Sequence, residues 1–152
     1  MASEHIYKQF DSDLEAIRAK VLEMGTLVEE QTANAVKSLL NTDVKLAEQV
    51  MKRDDQINDL EVAIDEETSL LIAKRSPAAG DLRNIMMMLK IITDLERMGD
   101  EAAKIARSTT RIFEDNRMSK PRFTEIKGMA KAVQGMIKTA LNSFARLDLS
   151  DT

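Results

Sequence analysis

Six residues carry the chemistry that this sequence could do. Asp54, Asn58, Glu61 and Asp65 follow one another at spacings of four, three and four, and Glu96 and Asp100 stand four apart within Asp94-Leu95-Glu96-Arg97-Met98-Gly99-Asp100. On a helix these spacings bring each set onto one face. Carboxylates gathered there are oxygen ligands for hard cations or ferric iron, and their mutual repulsion is relieved by a positive partner. Glu96 also takes a place where Leu89 and Ile92 lead the pattern towards another apolar residue. A plainer reading stands beside this one: Glu96 pairs with a base such as Arg53, and the other acids are solvated.

Other chemistries find no footing. His5 is the one histidine and there is no cysteine, so Glu-x-x-His di-iron motifs, His–Asp catalytic pairs, thiolate zinc sites and disulfides are absent. Gly80 and Gly99 belong to no glycine-rich turn leading into Lys-Ser/Thr, the arrangement that cradles phosphates. Met86, Met87 and Met88 suit packing. No nucleophile stands beside a base, so the reading is not an enzyme; the alternative function is a metal-binding helical bundle with a storage or hydrolytic role.

The acids need rigid elements to hold them, and composition supplies helices. Of 152 residues 43% are hydrophobic and 32% charged, with five glycines, two prolines and 3% aromatics, a helix-forming mixture. Phe10, Leu14, Ile17, Val21, Met24, Val28, Ala35 and Leu39, with Gln31 in line, mark a heptad seam over residues 4–41. Asn41-Thr42-Asp43 offers caps for a second helix over 43–75, with Leu46, Val50, Ile57, Leu60, Ile64 and Leu71 on its seam and Arg53 and Glu67 breaking it. Ser76-Pro77 reads as an N-cap and first helical position for a third helix over 77–115. Its two apolar stripes, one with Leu82, Ile85, Leu89, Ile92, Ala103, Ala106 and Phe113 and one with Met88, Ile91, Leu95, Met98, Ala102, Ile105 and Ile112, place it centrally.

After a break at 116–121, a fourth helix over 121–148 carries Ile126, Met129, Val133, Met136, Ala140, Phe144 and Leu147. Short links make successive helices antiparallel. The fold class is therefore all-α: an elongated antiparallel three-helix bundle over 1–116, plus a long helix. An offset of 105 residues aligns the first helix with the fourth, Val21 with Ile126, Val28 with Val133, Val36 with Leu141 and Leu39 with Phe144. The fourth helix thus reads as the first of a second, incomplete three-helix repeat, and its uncovered stripe is expected to drive self-association through residues 123–147.

The formal charge is −4, with both signs interspersed; no basic stripe suits nucleic acid. The longest apolar run, 85–89, is far short of a membrane span, and the N-terminus lacks a signal-peptide core. A cytoplasmic protein is expected.

Residues 51–106 resemble the PhoU family of phosphate-transport accessory proteins. The motifs are Asp54-x-x-x-Asn58-x-x-Glu61-Val62-Ala63-Ile64-Asp65-Glu66, Ile72-Ala73-Lys74-Arg75-Ser76-Pro77, Asp81-Leu82-Arg83 and Leu95-Glu96-Arg97-Met98-Gly99-Asp100, with residues 17–25 alongside. The resemblance implies two similar three-helix units, the second cut short in this chain. It also implies Glu/Asp-x-x-x-Asp motifs that in some members hold metal, here Glu61, Asp65, Glu96 and Asp100, with Asp54 and Asn58 as weaker additions and iron, zinc, manganese or magnesium as candidate ions. The implied role is negative regulation of phosphate uptake and of the phosphate-starvation response, through contacts with the ATPase of the phosphate transporter and a phosphate-sensing histidine kinase.

Overall fold

The computed structural model describes residues 2–114 and 123–150. They form four helices, α1 (Ala2–Asn41), α2 (Val44–Arg75), α3 (Ala79–Glu114) and α4 (Phe123–Ser150). The 116–121 break and the side chains of His5, Ile126, Met129 and Leu147 lie outside the described residues. No described helix is long and apolar enough to cross a membrane.

The first three helices form the expected antiparallel bundle. Phe10, Leu14, Ile17, Val21, Met24 and Val28 of α1 meet Ile57, Ile64 and Leu71 of α2 and Ile85, Met88, Ile92 and Leu95 of α3 in one core. Burying each large side chain contributes about 1.5–3 kcal/mol, so this seam is the main source of stability. Towards the α1–α2 turn the core changes to small residues, Ala35, Ala47, Val50, Ala102 and Ala106, which let helices approach closely. There the buried hydroxyls of Ser38 and Thr109 share a hydrogen bond of 3.1 Å. Gln31, fully buried on the α1 seam, donates from Nε2 to the Val50 carbonyl at 2.6 Å.

The turns are made by capping. Asp43 accepts from the Leu46 N–H at 3.1 Å, starting α2. Ser76, expected to open α3, instead closes α2: it is left-handed at φ 42° and donates its N–H to the Ile72 carbonyl. With Ser76 spent on that turn, α3 begins at Ala79, two residues after Pro77.

Two placements differ from the sequence reading. The central helix is α1, which packs against α2, α3 and α4, whereas among the described residues α3 touches α1 and α2 only. The two stripes of α3 merge into one broad face covered by those two neighbours, and their outer members Leu82 and Phe113 stay exposed. α4 is rotated from its expected stripe: Phe144 turns inward with Ile137, and Val133 and Leu141 pack beside them, while Met136 and Ala140 are exposed. Both faces of α4 carry apolar residues, and the one that α1 fits wins.

The fit centres on Gly25. A Cβ built there would lie 2.3 Å from Cδ2 and 2.7 Å from Cδ1 of Leu141. The direction of α4 follows from the Ser38–Thr109 contact, which sets the end of α3 beside the end of α1. A link of eight residues reaches at most about 28 Å, less than half the roughly 60 Å of α1. α4 therefore starts near the C-terminal end of α1 and runs antiparallel to it. Gly25→Val is expected to destabilise the chain by about 1–3 kcal/mol, with partial rescue by Leu141→Ala. Gly128→Ala, where nothing lies within 4 Å of an added Cβ, should stabilise by about 0.5–1 kcal/mol. Urea denaturation followed by circular dichroism checks both.

Candidate functional site

The antiparallel pairing of α2 and α3 turns two acidic motifs into one row. On α2 the fully buried Ile57 and Ile64 fix the helix rotation, leaving Asp54 and Glu61 half-buried at the margin and Asn58 and Asp65 exposed. On α3 the same holds for Leu95 and Gly99 on the inside, with Glu96 half-buried and Asp100 exposed.

The carboxylates feel one another across the helix pair. Burial raises the Glu61 carboxyl above its ordinary value, and Glu96, Asp65 and Asp100 add to the rise. Burial, then Asp100 and Asp55, raise Asp54, with Arg107 opposing. Burial, then Asp100 and Asp54, raise Glu96 against Arg97, and a hydrogen bond with the Asp100 side chain adds to the effect.

Asp54, a weaker candidate from sequence, couples to both α3 acids, and its buried Oδ1 has no hydrogen-bond partner. Gly99 lies against it: an added Cβ would sit 3.0 Å from Ile57 Cδ1 and 3.6 Å from Asp54 Oδ1. Asn58 is exposed and is not among the groups that shift the three carboxyls. Arg53, the base offered as partner to Glu96, pairs with Glu30 at 3.6 Å, because its stretch of α2 borders α1. The other seam breaker, Glu67, forms an ion pair with Lys20. Sequence spacing did not single out Glu30 or Lys20; a charge at each broken seam position was the signal available. Beside the row, a cleft of about 300 Å³ is lined by Glu61, Val62, Asp65, Glu66, Leu89, Ile92 and Thr93.

The donor set is all oxygen, the acids repel one another, and one buried oxygen is orphaned; each fits a hard cation. Among the described residues, no three acidic side chains are gathered closely enough to form a coordination shell. A cation would have to draw them together.

The PhoU domain family matches residues 21–109, a span that contains both acidic motifs. The chain belongs to the PhoU family. It is 45% identical over 147 residues to the phosphate-specific transport system accessory protein PhoU homolog of Pseudomonas aeruginosa, covering 96% of this chain and 60% of that protein. It is 38% identical over 149 residues to phosphate-specific transport system accessory protein PhoU of Escherichia coli K12, covering 98% of this chain and 61% of that protein. The crystal structure of PhoU from Pseudomonas aeruginosa superposes with a TM-score of 0.86 at 45% identity, over 91% of this chain and 66% of that one. That of the phosphate transport system regulatory protein PhoU from Streptococcus pneumoniae gives 0.80 at 29% identity, over 90% and 63%. This PhoU-family chain thus spans about 60% of the length of the curated relatives it matches.

The raised carboxyls set a pH dependence for this PhoU-family chain. A folded carboxyl with a raised pKa binds its proton more tightly than the unfolded one, so its effect on stability turns unfavourable as pH climbs from the ordinary values of 3.8 and 4.5 through the higher folded values. Glu96→Gln removes one repelling charge and is expected to raise stability at pH 7 by a few tenths of a kcal/mol per like-charged neighbour relieved. The gain should shrink as pH falls towards 4.5. Urea midpoints of both forms across pH 4.5–7.5 measure it.

Proposed function

We propose that this chain is a non-enzymatic negative regulator of phosphate uptake and of the phosphate-starvation response. It works in the cytoplasm as an adaptor between the transporter ATPase and a phosphate-sensing histidine kinase. The observation that carries the reading is the 45% identity, over 96% of this chain, to a protein named as a phosphate-specific transport system accessory protein. The description of the Streptococcus pneumoniae structure as regulatory supports the same role, and long helices suit contact with other proteins. Deleting the gene is expected to switch on phosphate-starvation genes in phosphate-rich medium, read by a reporter fusion; unchanged repression would remove this function.

Within that role, Glu61, Asp65, Glu96 and Asp100, joined by Asp54, hold a divalent or ferric cation that draws these side chains together across the α2–α3 pair. The rise of the Glu61 carboxyl, to which Glu96 and Asp100 contribute from across the helix pair, supports this assignment. Mn²⁺ is expected to raise the melting temperature of chelator-treated protein, and Glu96→Ala with Asp100→Ala should abolish the rise. Equal shifts in both proteins would overturn the assignment. Self-association, in this reading, uses the exposed face of α4 around Met136, since Val133 and Phe144 pack with the core; sedimentation equilibrium on the same preparation reports it.

A further inference from the structure

Away from the acidic row, on the groove between α1 and α2, lies a cleft of about 420 Å³. Its floor is Ile17 and Leu71, 1% and 4% exposed, and its lip is Leu70, 55% exposed. Three cations line it, Lys20, Lys74 and Arg75, against two acids, Asp13 and Glu67.

The charges in the cleft are unequally satisfied. Lys20 is taken by Glu67. Arg75 reaches Asp13 through one Nη at 3.9 Å, a separation too long for a hydrogen bond. Its Nε is buried with no acceptor. A guanidinium presents its N–H groups as a planar fork suited to two oxygens at once, and here that fork has an ion-pair partner on one arm and a dry, unpaired donor on the other. Lys74, exposed in the last turn of α2, adds a positive charge beside it. The turn that fixes Arg75 is the left-handed Ser76 cap, so the guanidinium is attached to a defined helix end.

A cleft of this size lies within the range of small-molecule sites, roughly 300–1,000 Å³, where an apolar lining is joined by a few polar groups that fix orientation. Inorganic phosphate would satisfy the fork and leave the Ile17–Leu70–Leu71 wall bare. We propose that this cleft binds a small organic anion, a phosphate ester or carboxylate whose oxygens take Arg75 and Lys74 and whose apolar body lies on Ile17, Leu70 and Leu71. The site is independent of the acidic row.

The test is a titration of the isotope-labelled chain with phenyl phosphate, benzoate and inorganic phosphate at constant ionic strength, followed by amide chemical shifts. Saturable shifts confined to residues 9–20 and 67–76 are expected with one or both organic anions, and the tighter of the two names the head group. Arg75→Gln should weaken binding by about tenfold or more. Leu70→Glu, at an exposed lip position where folding is undisturbed, should weaken it similarly by placing a negative charge at the mouth. Lys90→Gln on α3 should leave it unchanged. Inorganic phosphate binding as well as the organic anions means an adventitious ion only and overturns the proposal. So do shifts spread over the surface, affinity unaltered by Arg75→Gln and Leu70→Glu, or equal weakening by Lys90→Gln.

Discussion

Burial of α1 on two sides at once is the constraint from which the rest of the molecule follows. One face, from Phe10 to Ala35, closes the core shared with α2 and α3. The adjoining face, around Gly25, receives Leu141 of α4. A helix held on both faces cannot rotate to relieve a misfit on either, so the positions of α2 and α3 become fixed with respect to each other. Gln31 sharpens that restraint: its buried Oε1 has no partner, and the bond its Nε2 donates to the Val50 carbonyl is made in one axial register of α1 against α2.

That rigidity is what allows carboxylates to stay close on α2 and α3. Left to themselves, crowded acids part or take up protons. Here Ile57, Ile64, Ile92 and Leu95, all in the core, hold the helix pair together beneath them, and Gly99 removes the side chain that would keep α3 further from Ile57 and Asp54. The apolar core stabilises a surface arrangement that electrostatics alone would disperse. In the row assembled this way, the Asp54, Glu61 and Glu96 carboxyls stand above their ordinary values.

The sequence announces most of the bundle because it speaks through periodicity. The seam of α1 from Phe10 to Ala35, the Asp43 cap and the breaks between helices are legible from spacing and turn chemistry alone. So was the common face of Glu96 and Asp100. Periodicity says little about which neighbour a face meets, and there the reading stops. α4 has two apolar faces, and only the presence of α1 selects Ile137 and Leu141 over Met136 and Ala140. Arg53 advertises a polar partner without revealing that Glu30 of α1 is closer to hand than Glu96 of α3. From spacing Asp54 is no more than a companion of Asn58; its orphaned oxygen is a property of burial. Ser76 before Pro77 fits the start of a helix as well as the end of one, and a single backbone hydrogen bond decides between them.

The approach of Gly25 to Leu141 has a further geometric meaning. In antiparallel register, the partner of Val36, eleven residues along α1, lies eleven residues back on α4, at Ala130. An offset of 105 carries Gly25 to Ala130 and Val36 to Leu141, so the two levels are related by a local dyad, with the Gly25–Leu141 approach at one of them. Contacts related in this way are isologous, the kind that ordinarily joins two identical subunits. α1 carries both halves of the pattern, Gly25 and Val36, on one face. The joint between α1 and α4 thus follows the symmetry of one that joins equals.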